Sequence, residues 1–234
     1  MNETGEIFPT SAEVEKSPSE QLQEIAAAIK HHRGINFTEE TKEKFKEFCR
    51  QDIQERYQGT SVGNRDTIQF LDIVTCYFTQ FPPLEKSLNI FTKLDSQGQP
   101  AEITNTDIEE VLVSLEQSGI KVKKFSKLNS KAKKVGLTLE NDDYGNLASV
   151  RKKTFNVLTK TPPEILLPQI IHDLVHLTLN FGINLSAKEL GGQNYHWDQN
   201  LPQHQACLVA TDALLNTIET LRFNARRTKP PALL

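Results

Sequence analysis

The sequence predicts a mainly α fold, a multi-helix globular bundle with one small β-hairpin at about residues 120–140. Apolar residues recur at helical spacing through most of the 234-residue chain, and these segments tend to begin at a capping residue or end at Gly or Pro. Between residues 120 and 140 the pattern changes to a rough alternation that includes β-branched residues, which is typical of strands. Hydrophobic residues make up 37% of the chain, which indicates a core rather than general disorder.

Charge and cysteine content limit the class of protein. The formal net charge is -3, so the chain as a whole is not a polycation built for nucleic acid. Three widely spaced cysteines, Cys49, Cys76 and Cys207, indicate free thiols and a reducing compartment. We expect no signal peptide and no membrane span, because the N-terminus is polar and no apolar run reaches membrane length. A cytoplasmic protein is the simplest interpretation.

The N-terminal half is predicted to be a helical module, residues 17–118, after a flexible tail of residues 1–16. Ser17 and Glu20 form a capping box around Pro18, and Gly34 ends this first helix. Further helices are predicted over 38–57, 65–80, 84–94 and 106–119, the last capped by Thr106.

Residues 119–140 are predicted to form a basic hairpin with the segment LNSKAKK at its tip. A helix over 147–158 follows and opens a C-terminal helical module, residues 141–230, packed on the first. Lysine and arginine side chains in such a surface can bind phosphate or another anionic group. The candidate residues for an anion or nucleic-acid site are Lys121, Lys123, Lys124, Lys127, Lys131, Lys133, Lys134, Arg151, Lys152 and Lys153.

The segment LEQSGI followed later by VGLTLE resembles the end of a winged-helix domain of the MarR kind. The resemblance implies that the lysines decorate a wing and contact nucleic-acid phosphates. Between Leu94 and Gly119 there is room for one helix, whereas a helix-turn-helix needs two. The matching residues are Leu115, Glu116, Gly119, Ile120, Leu137 and Thr138.

The most apolar segment of the chain, Pro163–Phe181, carries the strongest chemical pattern. On a helical wheel its apolar residues gather on one side, and His172, Asp173 and His176 lie on the opposite, polar side. Histidines at i and i+4 stand one above the other, so both imidazoles can bind one metal ion. A polar face of this kind is also tolerated without any metal.

The sequence HDLVH resembles the HExxH helix of zinc metalloproteases, with Asp173 in the place of the catalytic glutamate. Downstream, the pattern beginning at Gln203 resembles the second conserved helix of the ImmA/IrrE-like zincins, where a glutamate supplies the third ligand. The resemblance implies one divalent metal ion, such as Zn²⁺, and His196 or His204 could replace the missing ligand. IIHDL is also similar, over five residues, to the core motif of HD-type phosphohydrolases.

The last helix is predicted over residues 203–226. We expect its apolar face to pack on the histidine helix and to bury Cys207, Leu214 and Ile218.

Three functions follow as expectations. We prefer a non-catalytic intracellular adaptor or regulatory protein that acts through protein–protein contacts, because no nucleophile elbow, phosphate loop or intact metal motif is present. The alternative is a metal-dependent hydrolase in which Asp173 is the base. The second alternative is nucleic-acid binding through the basic, winged-helix-like hairpin.

Overall fold

The computed structural model describes residues 16–36, 38–47, 75–139, 146–151, 154–182 and 202–227. In these ranges the structure is mainly helical with a small three-stranded mixed sheet, which confirms the expected fold class. The predicted tail before Lys16 and the residues after Arg227 lie outside the described part.

Eight helices and three strands occur in the described ranges. They are α1 (Pro18–His32), α2 (described over 39–47), α3 (described over 75–78), α4 (Pro82–Phe91), α5 (Asn105–Gln117), β1 (Lys121–Phe125), α6 (Ser130–Lys134), β2 (Ala148–Arg151), β3 (Thr154–Leu158), α7 (Pro163–Gly182) and α8 (Pro202–Arg227). None of the helices in this part of the chain combines the length and the apolar character needed to span a bilayer.

Local capping rules determine where several helices begin. The Ser17 hydroxyl accepts a hydrogen bond from the Glu20 amide, and the Glu20 carboxylate accepts one from the Ser17 amide at 2.7 Å, so the predicted capping box is confirmed. The predicted cap of α5 at Thr106 is wrong. Thr104 takes that role, because its hydroxyl accepts a hydrogen bond from the Asp107 amide at 3.2 Å, and the Asp107 carboxylate accepts one from the Thr104 amide at 2.7 Å.

The small sheet differs from the predicted hairpin at 120–140. Its strand order is β1-β3-β2, with β1 parallel to β3 and β2 antiparallel to β3. The first predicted strand exists, but no strand forms over residues 135–139, the described part of the second predicted strand at 135–140. Lys121 pairs in register with Thr154, so β1 finds its partner in a later segment of the chain.

Two further expectations in this region are wrong. The expected hairpin tip forms the short helix α6, because the Asn129 side chain accepts hydrogen bonds from the Lys131 and Ala132 amides as an N-cap does. The helix predicted over 147–158 is instead the antiparallel pair β2–β3. Residues 155–158 of β3 are all buried, and a short buried run of this kind cannot be told from a helical segment by its period.

Helix α7 lies at the centre of the packing. It contacts α4, α5, α8 and β2, and its apolar residues belong to one continuous buried cluster that runs from α1 to α8. Leu214 and Ile218 of α8 are buried as expected, while the side chain of Cys207 lies outside the described part. The proposed division into two modules stays a prediction.

A buried ion pair joins four parts of this bundle. The Arg222 guanidinium on α8, whose side chain is 4% exposed, donates to the main-chain oxygens of Phe91 at 2.8 Å and Ala101 at 3.0 Å. The same group donates to the Glu164 carboxylate in the first turn of α7 at 3.1 Å. Arg226 donates to the other Glu164 oxygen at 2.8 Å.

Burial and pairing act in opposite directions on the Glu164 carboxyl. Its burial alone would raise the pKa, but the hydrogen bond from Arg226 and the charge of Arg222 hold the pKa below its usual value. Glu164 is therefore a carboxylate at neutral pH, and α8 is tied to the start of α7 by a charged, directional contact.

We expect Arg222→Met to lower the free energy of unfolding by about 3 kcal/mol, because it leaves two carbonyl oxygens without their donor and a half-buried carboxylate with one guanidinium fewer. Arg226→Met is the matched control. It removes the other guanidinium from the same carboxylate at a side chain that is 47% exposed, and it should cost under about 1 kcal/mol. Denaturation by guanidinium chloride measures both values, and equal losses would contradict the assigned role of Arg222.

Candidate functional site

Helix α7 is positioned by the strand that precedes it. β3 ends at Leu158, and the Thr161 hydroxyl donates to the Leu158 oxygen at 3.1 Å to form the turn. The Pro162 oxygen then accepts from the Ile165 and Leu166 amides at 3.0 Å, which starts the helix. The turn directs α7 back across the sheet, where it packs against β2.

A side-chain contact holds α7 against β2 at the level of the site. The Gln169 carbonyl oxygen accepts a hydrogen bond from the Leu147 amide at 2.7 Å, one residue before β2 begins. Gln169 stands one turn before His172 on the same helix, so this bond fixes the rotation of α7 where the histidines occur.

His172 and His176 converge on each other. Both side chains are half-buried, their Nε2 atoms are 3.2 Å apart, and the rings meet edge to face with centroids 4.8 Å apart. This separation allows two chemical states. Either one Nε2–H donates to the other ring, or both Nε2 lone pairs point at a shared cation. The structure thus brings together the two candidate ligands that the sequence predicts.

The helical wheel predicts that Asp173 lies on the polar, solvent-facing side of α7. In the structure Asp173 is instead buried. Its side chain is 9% exposed, since residues from several neighbouring elements cover α7. Burial raises the pKa of the Asp173 carboxyl to about 7, because transfer from water disfavours the ionised form. The candidate base is therefore a buried carboxyl with a raised pKa, on the residue that follows His172 in α7.

The third ligand predicted from the sequence cannot be assigned to a position. His196 and the side chain of His204 both lie outside the described part of the chain, although the backbone of His204 belongs to α8. Among the described residues there is no group of three or more His, Cys, Asp and Glu side chains that could hold a metal ion.

The lysines of the second candidate site lie on β1, on α6 and in the loop between them. All seven are exposed, and Lys124 forms an ion pair with Glu109 of α5. The Lys123 ammonium lies 5.1 Å from the centroid of the Phe125 ring. These exposed lysines form a basic segment over residues 121–134, in which neighbours such as Lys123 and Lys124 point to opposite sides of β1. They do not form the predicted wing, because β1 pairs with β3 and residues 135–139 after α6 form no strand.

Of the three remaining predicted basic residues, the structure describes Arg151, which lies on the other edge of the sheet. Arg151 is the last residue of β2 and pairs with Thr154, which itself pairs with Lys121 of β1. Arg151 and Lys121 thus flank β3 on opposite edges, about 10 Å apart between backbones. Lys152 and Lys153 lie outside the described part.

Nothing in the sequence pattern marks Lys160 as a site residue, yet the structure places it close to Lys127. Both side chains line a cavity of about 250 Å³ next to the start of α7. Lys160 could have been found only from the parallel pairing of β1 with β3, because this pairing brings together the residues that follow both strands. The helix predicted over 147–158 excluded that pairing.

Comparisons of this chain with protein-family models, with curated proteins and with solved structures gave no match.

The burial of Asp173 predicts a pH-dependent stability. A carboxyl whose pKa is higher in the folded state than in the unfolded state stabilises the fold below pH 4, and this contribution is lost as the pH rises through 7. An asparagine at this position does not ionise, so we expect metal-free Asp173→Asn protein not to lose stability as the pH rises through 7. At pH 8 its free energy of unfolding should exceed that of the natural chain by on the order of 2–4 kcal/mol.

Urea titrations at pH 4 and pH 8 in the presence of a chelator measure this difference. Glu116→Gln, at an exposed carboxylate of α5, is the control and should leave the pH dependence unchanged. A variant Asp173→Asn that is less stable than the natural chain at pH 8 would contradict the prediction.

Proposed function

We propose that this protein binds one divalent metal ion through His172 and His176 and acts as a metal-dependent hydrolase. The observation that carries the proposal is the 3.2 Å separation of the two Nε2 atoms. Two imidazole nitrogens on a tetrahedral Zn²⁺, each bonded at ~2.0–2.1 Å, are about 3.3 Å apart. The side chains therefore already stand at the spacing that such an ion requires.

The arrangement of the surrounding elements supports the same proposal. The histidine helix follows a small sheet and packs against the next helix, α8, whose N-terminal part carries the pattern that resembles the ImmA/IrrE-like zincins. The half-buried position of the two imidazoles limits competition from bulk water while leaving access for a small substrate group. A divalent ion at this position would supply Lewis acidity.

The roles of the protein groups follow from their positions on α7. His172 and His176 would hold the ion, and the Gln169 bond to β2 would keep both rings at the correct rotation. Asp173 is proposed as the general base, since its carboxyl follows His172 directly on the helix. The third ligand is proposed to be His196 or His204.

We expect purified full-length protein to bind about one Zn²⁺ per chain in isothermal titration calorimetry. His172→Ala and His176→Ala should each weaken binding by more than about 100-fold, because each removes a direct ligand. His31→Ala, at an exposed histidine in the last turn of α1, is the matched control and should bind as the natural chain does. Binding that survives both site variants would contradict the proposal.

We expect the zinc-loaded protein to cleave a fluorescein-labelled casein probe, with release of fluorescent peptides as the readout. Asp173→Asn should keep its metal but lose at least about 100-fold in rate, because the general base is gone. Urea denaturation of the zinc-loaded variant, run beside the assay, separates a loss of rate from unfolding. An unchanged rate would contradict the role of Asp173, and metal binding without cleavage would limit the proposal to a non-catalytic site.

A non-catalytic adaptor is the second candidate. It is favoured by the basic segment 121–134, where five exposed lysines have no carboxylate within ion-pair distance in the part of the chain described: Lys121, Lys123, Lys127, Lys131 and Lys133. Such lysines suit an acidic protein partner, with binding that weakens as salt is added. The metal titration separates the two candidates, since a chain that binds no metal leaves the basic segment as its remaining candidate site.

A further inference from the structure

A cavity of about 250 Å³ opens at one end of the small sheet. Because β1 and β3 run parallel, their carboxyl ends meet at the same edge, and the loops that follow them meet there too. Ser126, Lys127 and Leu128 line the cavity from the loop after β1, and residues 160–162 line it from the loop after β3. Crevices outside the carboxyl ends of parallel strands are a common location for ligands in α/β proteins.

The lining combines an apolar floor with two cations. The apolar part is formed by four leucines, of which two are almost fully buried and one is 49% exposed: Leu128, Leu139, Leu147 and Leu158. The cations are Lys127 and Lys160, whose side chains are exposed at the surface. Within the described ranges neither lysine has a carboxylate at ion-pair distance, so both are available to an anion.

We propose that this cavity binds a small amphipathic carboxylate, with its carboxylate at Lys127 and Lys160 and a short apolar tail against the leucines. The site is separate from the histidine pair and does not rest on metal binding. Ser126 adds a hydroxyl group to the polar side of the lining, and this hydroxyl can donate to the second carboxylate oxygen.

The size and the chemistry of the cavity select this class of ligand. Pockets for drug-sized molecules span ~300–1,000 Å³, so a cavity of about 250 Å³, below that range, takes a ligand with few carbon atoms. An inorganic anion would leave the leucine floor against water, and a neutral hydrocarbon would leave both lysines unused. A fatty acid of about six to eight carbons contacts the leucines with its alkyl tail and the two lysines with its carboxylate. Each buried CH₂ group contributes about 0.8 kcal/mol to binding.

Isothermal titration calorimetry of the full chain with sodium octanoate, below its micelle concentration, tests the proposal. Acetate carries the same head without the tail, and octanol carries the tail without the charge. We expect both to bind at least about tenfold more weakly than octanoate. Amide chemical shifts in the nuclear magnetic resonance spectrum should change mainly at residues 126–128 and 159–161.

Lys127→Gln and Lys160→Gln should each weaken octanoate binding about two- to fivefold, as expected for contacts made by exposed charges. Lys121→Gln is the matched control, because it removes an exposed lysine at the opposite end of β1. Leu139→Ser should weaken octanoate but not acetate. Equal binding of octanol and octanoate, an equal loss in Lys121→Gln, or no binding of octanoate would each overturn the proposal.

Discussion

The contact between Arg222 and Glu164 is the constraint on which the remainder of the bundle depends. One guanidinium bonds to three other segments, at Phe91, Ala101 and Glu164, and so sets their positions relative to α8 by directional contacts. The charge lies out of water, where directional bonds are strong and unpaired groups are costly. The start of α7 is thereby fixed relative to α4 and α8. The positions of His172 and His176 on α7 are fixed with it.

Both proposed sites are placed by that one helix. The cavity adjoins Pro162, just before α7 begins, and His172 follows ten residues later, about 15 Å along the axis. The cavity depends on the sheet edge, while the histidine pair depends on the rotation of the helix around Gln169. A change at one of them can therefore leave the other intact, although both share the anchor at Glu164.

Local signals predicted much of the fold, and long-range pairing explains most of what they missed. The capping box at Ser17 and the end of α5 before Gly119, which has φ of 80°, depend on neighbouring residues and were correct. The partner of β1 was wrong, because the alternation in Lys121–Phe125 shows that a strand forms but not which segment it joins. The spacing of His172 and His176 also predicted their convergence, since i and i+4 positions are adjacent on any helix. The burial of Asp173 could not be predicted from the wheel, because the cover comes from other elements.

The mixed sheet also sets an order for folding. Arg151 and Thr154 pair across a connection of two residues, so β2 and β3 can meet at little cost in chain entropy. Lys121 and Thr154 are more than thirty residues apart, and the loop between them must close before their pairing brings any gain. The edge that forms the cavity is thus the part of the sheet expected to assemble last, and a substitution in β1 should change how fast the protein unfolds more than how fast it folds.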